Sequence, residues 1–247
     1  MTPTQVVPGV WAAGSRYVNY YIVDGGADGL ALVDAGLPGY ARRLGATLAA
    51  IGHTTADVRA VLLTHGHVDH AGMMQPLAEA GATIYLHDAD AALAGDPRLN
   101  KTDRPLWPYL RYPATLAFVA HAVREGATKH RGTPALTAMN DGDQLDVPGR
   151  PKVLHAPGHT AGSCVLEFGE HGVVFVGDLL CTVNPALGRP DVPQLQTRGS
   201  NADSDLAMSS LDRLAGVEAR NVLPGHGGPW RDGVQSAVAH ARRVGCR

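Results

Sequence analysis

The sequence has little cysteine and no long apolar run, and both absences narrow what the protein can be. Cys164, Cys181 and Cys246 match neither a disulfide framework nor a zinc motif, so we expect free thiols. No stretch approaches the roughly 20 consecutive apolar residues of a membrane helix. The first residues also lack the basic start and apolar centre of a signal peptide. These absences predict a cytoplasmic protein.

A strong excess of charge is missing as well. The 247 residues carry a formal net charge of −2, with 45% apolar and 18% charged residues. Such a composition is ordinary for a folded chain and gives no electrostatic footprint for nucleic acid. We therefore expect a single domain over residues 1–247 that has neither a nucleic-acid nor a membrane partner.

Short apolar runs alternate with helical periodicity along most of the chain. Strand patterns occur in residues 6–11, 19–23, 30–34, 58–63, 83–86, 153–155, 163–168, 173–176 and 221–223. Helical spacing of apolar residues occurs in 40–51, 72–80, 89–94, 204–214 and 233–244. Strands that alternate with helices predict an α/β architecture, here with an antiparallel start.

Two stretches interrupt this alternation. Residues 96–134 contain five prolines among bulky aromatic side chains, and we interpret them as a partly helical insertion. Between Arg98 and Arg131, seven basic residues against two acidic ones give a net charge of +5. We interpret this charge as a solvated helical face or a contact in a homo-oligomer; attraction of an anionic small-molecule substrate is the alternative. Residues 180–201 form a long loop, and such loops are usually functional or mobile.

One short string carries the strongest chemical signal. His65, His67, Asp69 and His70 place three imidazoles and a carboxylate within six consecutive positions, directly after an apolar strand pattern. Imidazole is a favoured ligand for zinc and neighbouring transition metals, and a carboxylate adds charge to hold a second ion. We expect Gly66 to let the backbone turn sharply, so that both flanking rings converge on one ion.

Three later segments repeat the order of apolar run, glycine and ligand. His159, Asp178 and His226 each follow a glycine directly at the end of such a run. The strand ends of α/β proteins present functional groups to a shared crevice. We therefore expect these segments and the histidine string to form one pocket. The remaining seven histidines lack such a context and are interpreted as surface or core residues, with His87 the one that merits a check.

Together the four segments resemble the signature of the metallo-β-lactamase superfamily, a His-x-His-x-Asp-His string followed by separate His, Asp and His residues in this order. The resemblance extends over nearly the whole chain. It implies an αββα sandwich, in which two mixed β-sheets pack face to face with helices outside. It also implies that Asp34 supports the ligands from behind, the alternative being a turn-forming aspartate. Thr64 and Thr160 would orient ligands or merely cap turns.

The resemblance further implies a site for two divalent metal ions. Zinc is the first choice, with iron, manganese or cobalt as alternatives. The implied ligands are His65, His67 and His159 for the first ion, Asp69, His70 and His226 for the second, and Asp178 as the bridge. Metal binding lowers the pKa of water from about 15.7 towards 7, so we expect a hydroxide to attack an ester, lactone or thioester carbonyl. Asp69 would also be catalytic by carrying a proton.

Members of the superfamily share these ligands, so the ligands do not select the substrate. Lactonases for acyl-homoserine lactones place a tyrosine after the bridging aspartate, but residues 179–200 contain none, and Tyr109 or Tyr112 would have to replace it. The lack of an export signal disfavours a β-lactamase, and the short segment after His226 disfavours glyoxalase II. A phosphodiesterase, an iron-dependent sulfur dioxygenase and a non-catalytic binding protein stay as alternatives.

Overall fold

The structure is a computed structural model, and it describes residues 2–129, 132–188 and 192–246. Within these ranges the first β-sheet has seven strands in chain order. They are β1 (Thr4–Val7), β2 (Val10–Gly14), β3 (Asn19–Asp24), β4 (Leu30–Val33), β5 (Val58–Leu62), β6 (Thr83–Leu86) and β7 (Leu136–Ala138). The strands from β1 to β4 pair antiparallel and those from β4 to β7 pair parallel, so the sheet is mixed.

The second sheet contains four strands in the order β11-β10-β9-β8. They are β8 (Lys152–His155), β9 (Cys164–Phe168), β10 (Val173–Gly177) and β11 (Asn221–Pro224). The β10 and β11 strands pair parallel, whereas the other neighbours pair antiparallel. This sheet is also mixed, as the sequence predicts.

The two sheets pack face to face because β3 is apolar on both of its sides. Tyr21 and Val23 point into the core between the sheets, and the Tyr21 ring lies 5.0 Å from the ring of Phe175 on β10. Tyr20 and Ile22 alternate with them and join the core on the outer side of the first sheet. A third apolar cluster covers the outer side of the second sheet. This arrangement confirms the predicted αββα sandwich.

The helices cover the outer faces of the two sheets. In the described ranges they are α1 (Ala41–Ala49), α2 (Val68–Ala71), α3 (Met74–Glu79), α4 (Ala91–Gly95), α5 (Pro113–Arg124), α6 (Ser204–Ser210) and α7 (Val234–Val244). Leu44 and Leu77 belong to the cluster on the first sheet, and Leu211 and Ala237 to the cluster on the second. None of these helices is long and apolar enough to cross a membrane.

The structure corrects some local predictions. The single strand expected over residues 6–11 is wrong, because Gly9 has a positive φ of 76° and turns the chain between β1 and β2. The helix expected over residues 72–80 is shorter, since α3 begins at Met74 after the separate α2. The strand β7 was not expected because Leu136 is its only large apolar residue. Residues 130–131 of the insertion and 189–191 of the long loop lie outside the described residues.

Candidate metal centre

The four sequence segments meet at one end of the sandwich because each follows a strand. The histidine string follows β5 of the first sheet, and His159, Asp178 and His226 follow β8, β10 and β11 of the second. Both sheets therefore contribute to one site. Hydrogen bonds tie the sheets together here, since the Tyr21 hydroxyl donates to the Pro224 carbonyl at 2.7 Å. The site is held by the framework of the fold.

Two glycines in these segments are required by close packing. A Cβ atom on Gly66 would lie 2.8 Å from the carbonyl oxygen of Asp90. Gly66 does not have a positive φ, so a sharp turn is not the reason for glycine here. The reason is the close approach of the Asp90 backbone. A Cβ atom on Gly225 would collide with the Asp178 carboxylate. Glycine at both positions therefore lets other groups reach the site.

All seven predicted ligands lie together. Among the described residues, their ligand atoms form overlapping groups in which all atoms lie within 4.8 Å of one another. The groups are His65, His67 and His159; His65, His70 and Asp178; and Asp69, His70 and His226. The first and third groups are the two sets of terminal ligands that the sequence predicts.

Asp178 lies between these two groups. Its Oδ1 atom is 3.5 Å from Nε2 of His70, and its Oδ2 atom is 3.5 Å from Nε2 of His159. Oδ2 is also 3.0 Å from Nε2 of His226. The carboxylate thus faces histidines of both groups, which is the position that a bridging ligand needs.

Each of the five histidines is held from behind through its second ring nitrogen. Such a contact fixes the tautomer and the orientation of the ring, so that the other nitrogen is left for a metal. The contacts are His65 Nδ1 to Thr64 Oγ1 at 3.0 Å, His70 Nδ1 to Asp34 Oδ2 at 2.8 Å, His159 Nδ1 to Asn201 Oδ1 at 3.1 Å, His226 Nδ1 to the Tyr17 carbonyl at 2.6 Å, and His67 Nε2 to Asn100 Oδ1 at 2.9 Å. His67 therefore presents Nδ1, whereas the other four present Nε2.

Several buried polar atoms at the centre lack a hydrogen-bond partner within the described residues. They are Nε2 of His65, Nε2 of His70 and Oδ1 of Asp178. Nδ1 of His67 also lies 3.0 Å from Nε2 of His159, and two imidazole nitrogens so close need a proton or a cation between them. Buried polar atoms without partners are costly, and divalent cations would satisfy all of these lone pairs. The residues present therefore fit a metal centre.

The buried histidines of the two groups have pKa values shifted in opposite directions. Burial and the neighbouring rings of His70, His159 and His67 hold the pKa of His65 well below its usual range. Burial also lowers the pKa of His159, to about 4, although Asp178 opposes the shift. His65 and His159 are thus neutral at neutral pH and ready to bind a cation.

In the second group the pKa values of the histidines are shifted upwards, because more carboxylates surround them. Burial alone would lower the pKa of His70, but Asp178, Asp69 and Asp34 outweigh it and raise the pKa to about 10. Burial is likewise outweighed by Asp178 and Asp69 at His226, whose pKa is raised. His70 therefore carries a proton at neutral pH, which a metal would have to replace.

Asp34 supports the string in the way that the resemblance implies. Its backbone has a positive φ of 60°, and its buried carboxylate accepts hydrogen bonds from His70, from the Thr64 amide and from the Thr64 hydroxyl. Since the Thr64 oxygen also contacts His65, one carboxylate orients a ring in each group. Thr64 orients a ligand as well and is not merely a turn residue.

The sequence analysis missed a second supporting carboxylate, Asp90. Its Oδ2 atom accepts from the Gly66 amide at 2.8 Å and from the Thr160 hydroxyl at 2.6 Å, and its Oδ1 atom accepts from the Gly162 amide at 2.7 Å. Asp90 thereby joins the turn between His65 and His67 to the segment that carries His159. Asp90 lies two residues after the exposed Asp88, and no local sequence pattern distinguishes the two aspartates.

Side-chain amides from the long loop and the insertion also contact the centre. Gln196 donates to Oδ2 of Asp178 at 2.9 Å, and Asn201 and Asn100 hold His159 and His67. These amides were also missed, because they lie in stretches without periodicity. The other histidines within the described residues lie outside the three ligand groups, as expected. His87, for example, stacks on His155 at 4.2 Å.

A cavity of about 240 Å³ opens above the centre. Its floor includes His67, Asp69, His159, Asp178 and His226, and its described lining contains neither lysine nor arginine. The insertion supplies much of the apolar wall, through Pro97, Leu106, Phe118 and Val119. The Phe118 ring lies 5.7 Å from the His226 ring, edge to face. Tyr109 and Tyr112 line a separate surface groove and are not among the described residues that line this cavity.

Comparison with known sequences gives the same family as the ligand pattern. Residues 13–226 match the model of the metallo-β-lactamase superfamily. The probable metallo-hydrolase YqjP of Bacillus subtilis is 30% identical over 236 residues, which cover 90% of this chain and 70% of that protein. The acyl-coenzyme A thioesterase MBLAC2 of Gallus gallus is 28% identical over 187 residues, which cover 69% of this chain and 60% of that protein.

Solved structures with the same fold match over most of the chain. The metallo-β-lactamase family protein TTHA1429 of Thermus thermophilus superposes with a TM-score of 0.68 at 28% identity, covering 96% of this chain and 80% of that one. TTHA1623, solved in a di-iron-bound form, superposes with a TM-score of 0.63 at 27% identity, covering 98% of both chains.

Proposed function

Since the chain belongs to the metallo-β-lactamase superfamily, we propose that it is a dinuclear metal-dependent hydrolase of acyl thioesters and esters. The observation that carries the proposal is the convergence of buried, unpartnered ligand atoms under an apolar cavity. Its relative in Bacillus subtilis is named a probable metallo-hydrolase, and the superfamily is mostly hydrolytic, which supports the reaction type.

The proposed ligand assignment follows the geometry of the two groups. His65, His67 and His159 would hold the first ion, Asp69, His70 and His226 would hold the second, and Asp178 would contribute to both. Such a ligand set would leave a position for water or substrate at the metals. We propose zinc as the metal. Iron is the alternative, supported by the di-iron form of TTHA1623.

When bound, two divalent ions would polarise the substrate carbonyl and lower the pKa of water, which permits hydrolysis at neutral pH. The chain's own residues position and protect this chemistry. Asp69 lines the cavity, with Oδ2 at 3.6 Å from Nε2 of His70 and 3.7 Å from Nε2 of His226. A carboxylate at the boundary between centre and cavity can accept a proton from water and return it to the leaving group. Gln196 fixes Asp178, and Phe118 excludes water from one side.

The cavity favours a substrate with an apolar acyl group. Leu106, Phe118 and Val119 would surround the acyl chain, while the scissile carbonyl faces the metal ligands on the floor. The similarity to an acyl-coenzyme A thioesterase supports a thioester as the scissile bond. Without lysine or arginine in the described lining, any anionic part of the substrate would bind outside the cavity.

A substrate panel on the metal-replete protein tests this proposal. Acyl thioesters and esters of increasing chain length, lactones, phosphodiesters and β-lactams are compared at equal concentration, and oxygen uptake with a persulfide is followed separately. We expect the highest kcat/KM for acyl thioesters of medium or long chain. Turnover of phosphodiesters or β-lactams alone, persulfide-dependent oxygen uptake, or inertness towards the whole panel would each contradict it.

The role of Asp69 has its own test. In the Asp69→Asn variant we expect kcat to fall by about 10²-fold or more, since a positioned acid or base typically contributes 10²–10⁴-fold. Asp146→Asn is the matched control, because the Asp146 side chain is 98% exposed. Unchanged turnover of Asp69→Asn at full metal content would contradict the proton-carrying role.

A further inference from the structure

Large apolar side chains are left exposed in one short part of the insertion. Six of them define a surface that we call the apolar patch: Leu106, Trp107, Leu110, Leu116, Val119 and Val123. Trp107 is 72% exposed, which is far more than a tryptophan in a folded core. Exposed large apolar side chains grouped within residues 106–123 in this way are typical of an interaction site.

The patch is formed by two successive elements. Trp107 and Leu110 lie on a 3₁₀ helix, Trp107–Arg111, and α5 follows it directly. Leu116, Val119 and Val123 are spaced by three and four residues, so they share one face of α5. Leu106 and Val119 also line the cavity above the metal centre. The patch therefore reaches the mouth of that cavity.

Basic and aromatic side chains border the patch. Arg104, Arg111, Tyr109 and Tyr112 line a surface groove together with Trp107. The Arg111 guanidinium lies over the Tyr112 ring at 5.0 Å and donates to the Tyr112 hydroxyl at 2.9 Å. This groove lies in the part of the sequence that carries a net charge of +5. The combination of exposed tryptophan and aliphatic residues with arginine is typical of surfaces that lie in a membrane interface.

We propose that the apolar patch and its basic border dock the protein on an anionic lipid surface. The apolar side chains would enter the acyl boundary, and the arginines would contact the negatively charged headgroups. A second copy of the chain fits less well, because a two-fold contact would bring the two basic insertions against each other. Nucleic acid would leave the exposed leucines and valines without an apolar partner.

This docking goes beyond the partners that the sequence predicts. The lack of a long apolar run led us to expect no membrane partner, but peripheral docking needs only one apolar face of a helix. Docking itself does not depend on the proposed hydrolase function. Its consequence, that a lipid-dissolved acyl substrate enters the cavity directly from the bilayer, rests on that function.

Vesicle sedimentation of the whole 247-residue chain tests the proposal. We expect binding to phosphatidylcholine vesicles that contain about one third phosphatidylglycerol, and weaker binding to pure phosphatidylcholine, with the difference reduced by added salt. The Trp107→Ala/Leu110→Ala variant should bind at least about tenfold more weakly because two anchors are lost. Arg104→Gln and Arg111→Gln should each weaken binding by about fivefold.

A matched control separates the patch from exposed apolar surface in general. Leu206 is 42% exposed on α6, outside the insertion, and Leu206→Ala should bind vesicles like the unmodified protein. Three results would overturn the proposal: no binding to anionic vesicles, equal binding by the patch variants, or a dimer in solution that the patch variants dissociate. Circular dichroism verifies that the variants fold, and the metal content verifies that the catalytic centre is unaffected.

Discussion

The metal centre and the insertion above it are stabilised in opposite ways. In the centre, every histidine follows a strand or its adjoining turn and is held by a second hydrogen bond from behind. In the insertion, short helices leave leucine, valine and tryptophan side chains exposed. The comparison leads us to propose that the metal ligands determine the reaction type, whereas side chains of the insertion determine which substrate reaches the site.

The largest expected effect comes from Asp178, the proposed bridging carboxylate. Asp178→Asn keeps the shape of the side chain but removes the charge that faces both groups. We expect kcat to fall by about 10³-fold or more, since a correctly held metal supplies several kcal/mol of stabilisation to the transition state. Metal content and steady-state rates are measured together, and a fully metallated variant with unchanged kcat would mean that Asp178 is not part of the centre.

The next effect concerns the buried carboxylate that joins two ligand segments. Asp90→Ala leaves two amides and a hydroxyl without their acceptor, so we expect about 3 kcal/mol less stability against urea. Metal affinity should fall by about 10–100-fold, as is usual when a group behind the ligands is lost. Asp88→Ala, two residues away and exposed, is the matched control. Equal behaviour of the two variants would show that Asp90 does not organise the centre.

The charge of the second group gives a pH prediction. The raised pKa of His70, about 10, means that the metal-free protein holds a proton there at neutral pH, and this proton must leave when a metal binds. Affinity of the second site should therefore rise with pH, by up to about tenfold per unit below pH 10 for each proton released. Calorimetry in buffers of different ionisation enthalpy counts these protons, and metal binding without proton release would contradict the assignment.

The smallest effect is expected in the insertion. Phe118→Ala removes an apolar wall without touching the ligands, so kcat should hold while KM for long acyl chains rises by about tenfold. Leu116→Ala on the exposed face of the same helix is the control, assayed with a soluble substrate. A large fall in kcat for Phe118→Ala would remove the contrast between the two regions, because it would make the insertion part of the reaction centre.

The ligand residues of the centre are predictable because local sequence patterns mark them. The histidine string and the glycine-His or glycine-Asp steps lie beside strands whose apolar runs are easily recognised, so their convergence follows from the architecture. The supporting groups are different. Asp90, Asn201 and Gln196 act through contacts with residues far away in sequence. Their own neighbourhoods do not mark them, because Asp90 lies in a short helical pattern and the two amides lie in a loop without periodicity.

The arrangement of side chains in the insertion is a second feature that the sequence does not predict. Its positive charge is visible in the composition, but the separation between an apolar cavity wall and a basic outer groove is not. Phe118 and Arg111 lie seven residues apart, yet one faces the centre and the other the surface. That separation depends on how the 3₁₀ helix and α5 pack onto the sandwich, which is a tertiary property without a periodic signature.

The central claim is that the chain holds two metal ions and needs both. Elemental analysis of protein purified without added metal, combined with stepwise reloading of the metal-free protein and an acyl thioester assay, tests it most directly. We predict two ions per chain, with hydrolysis appearing only as the second site fills. Saturation at one ion per chain with full activity would contradict the dinuclear account.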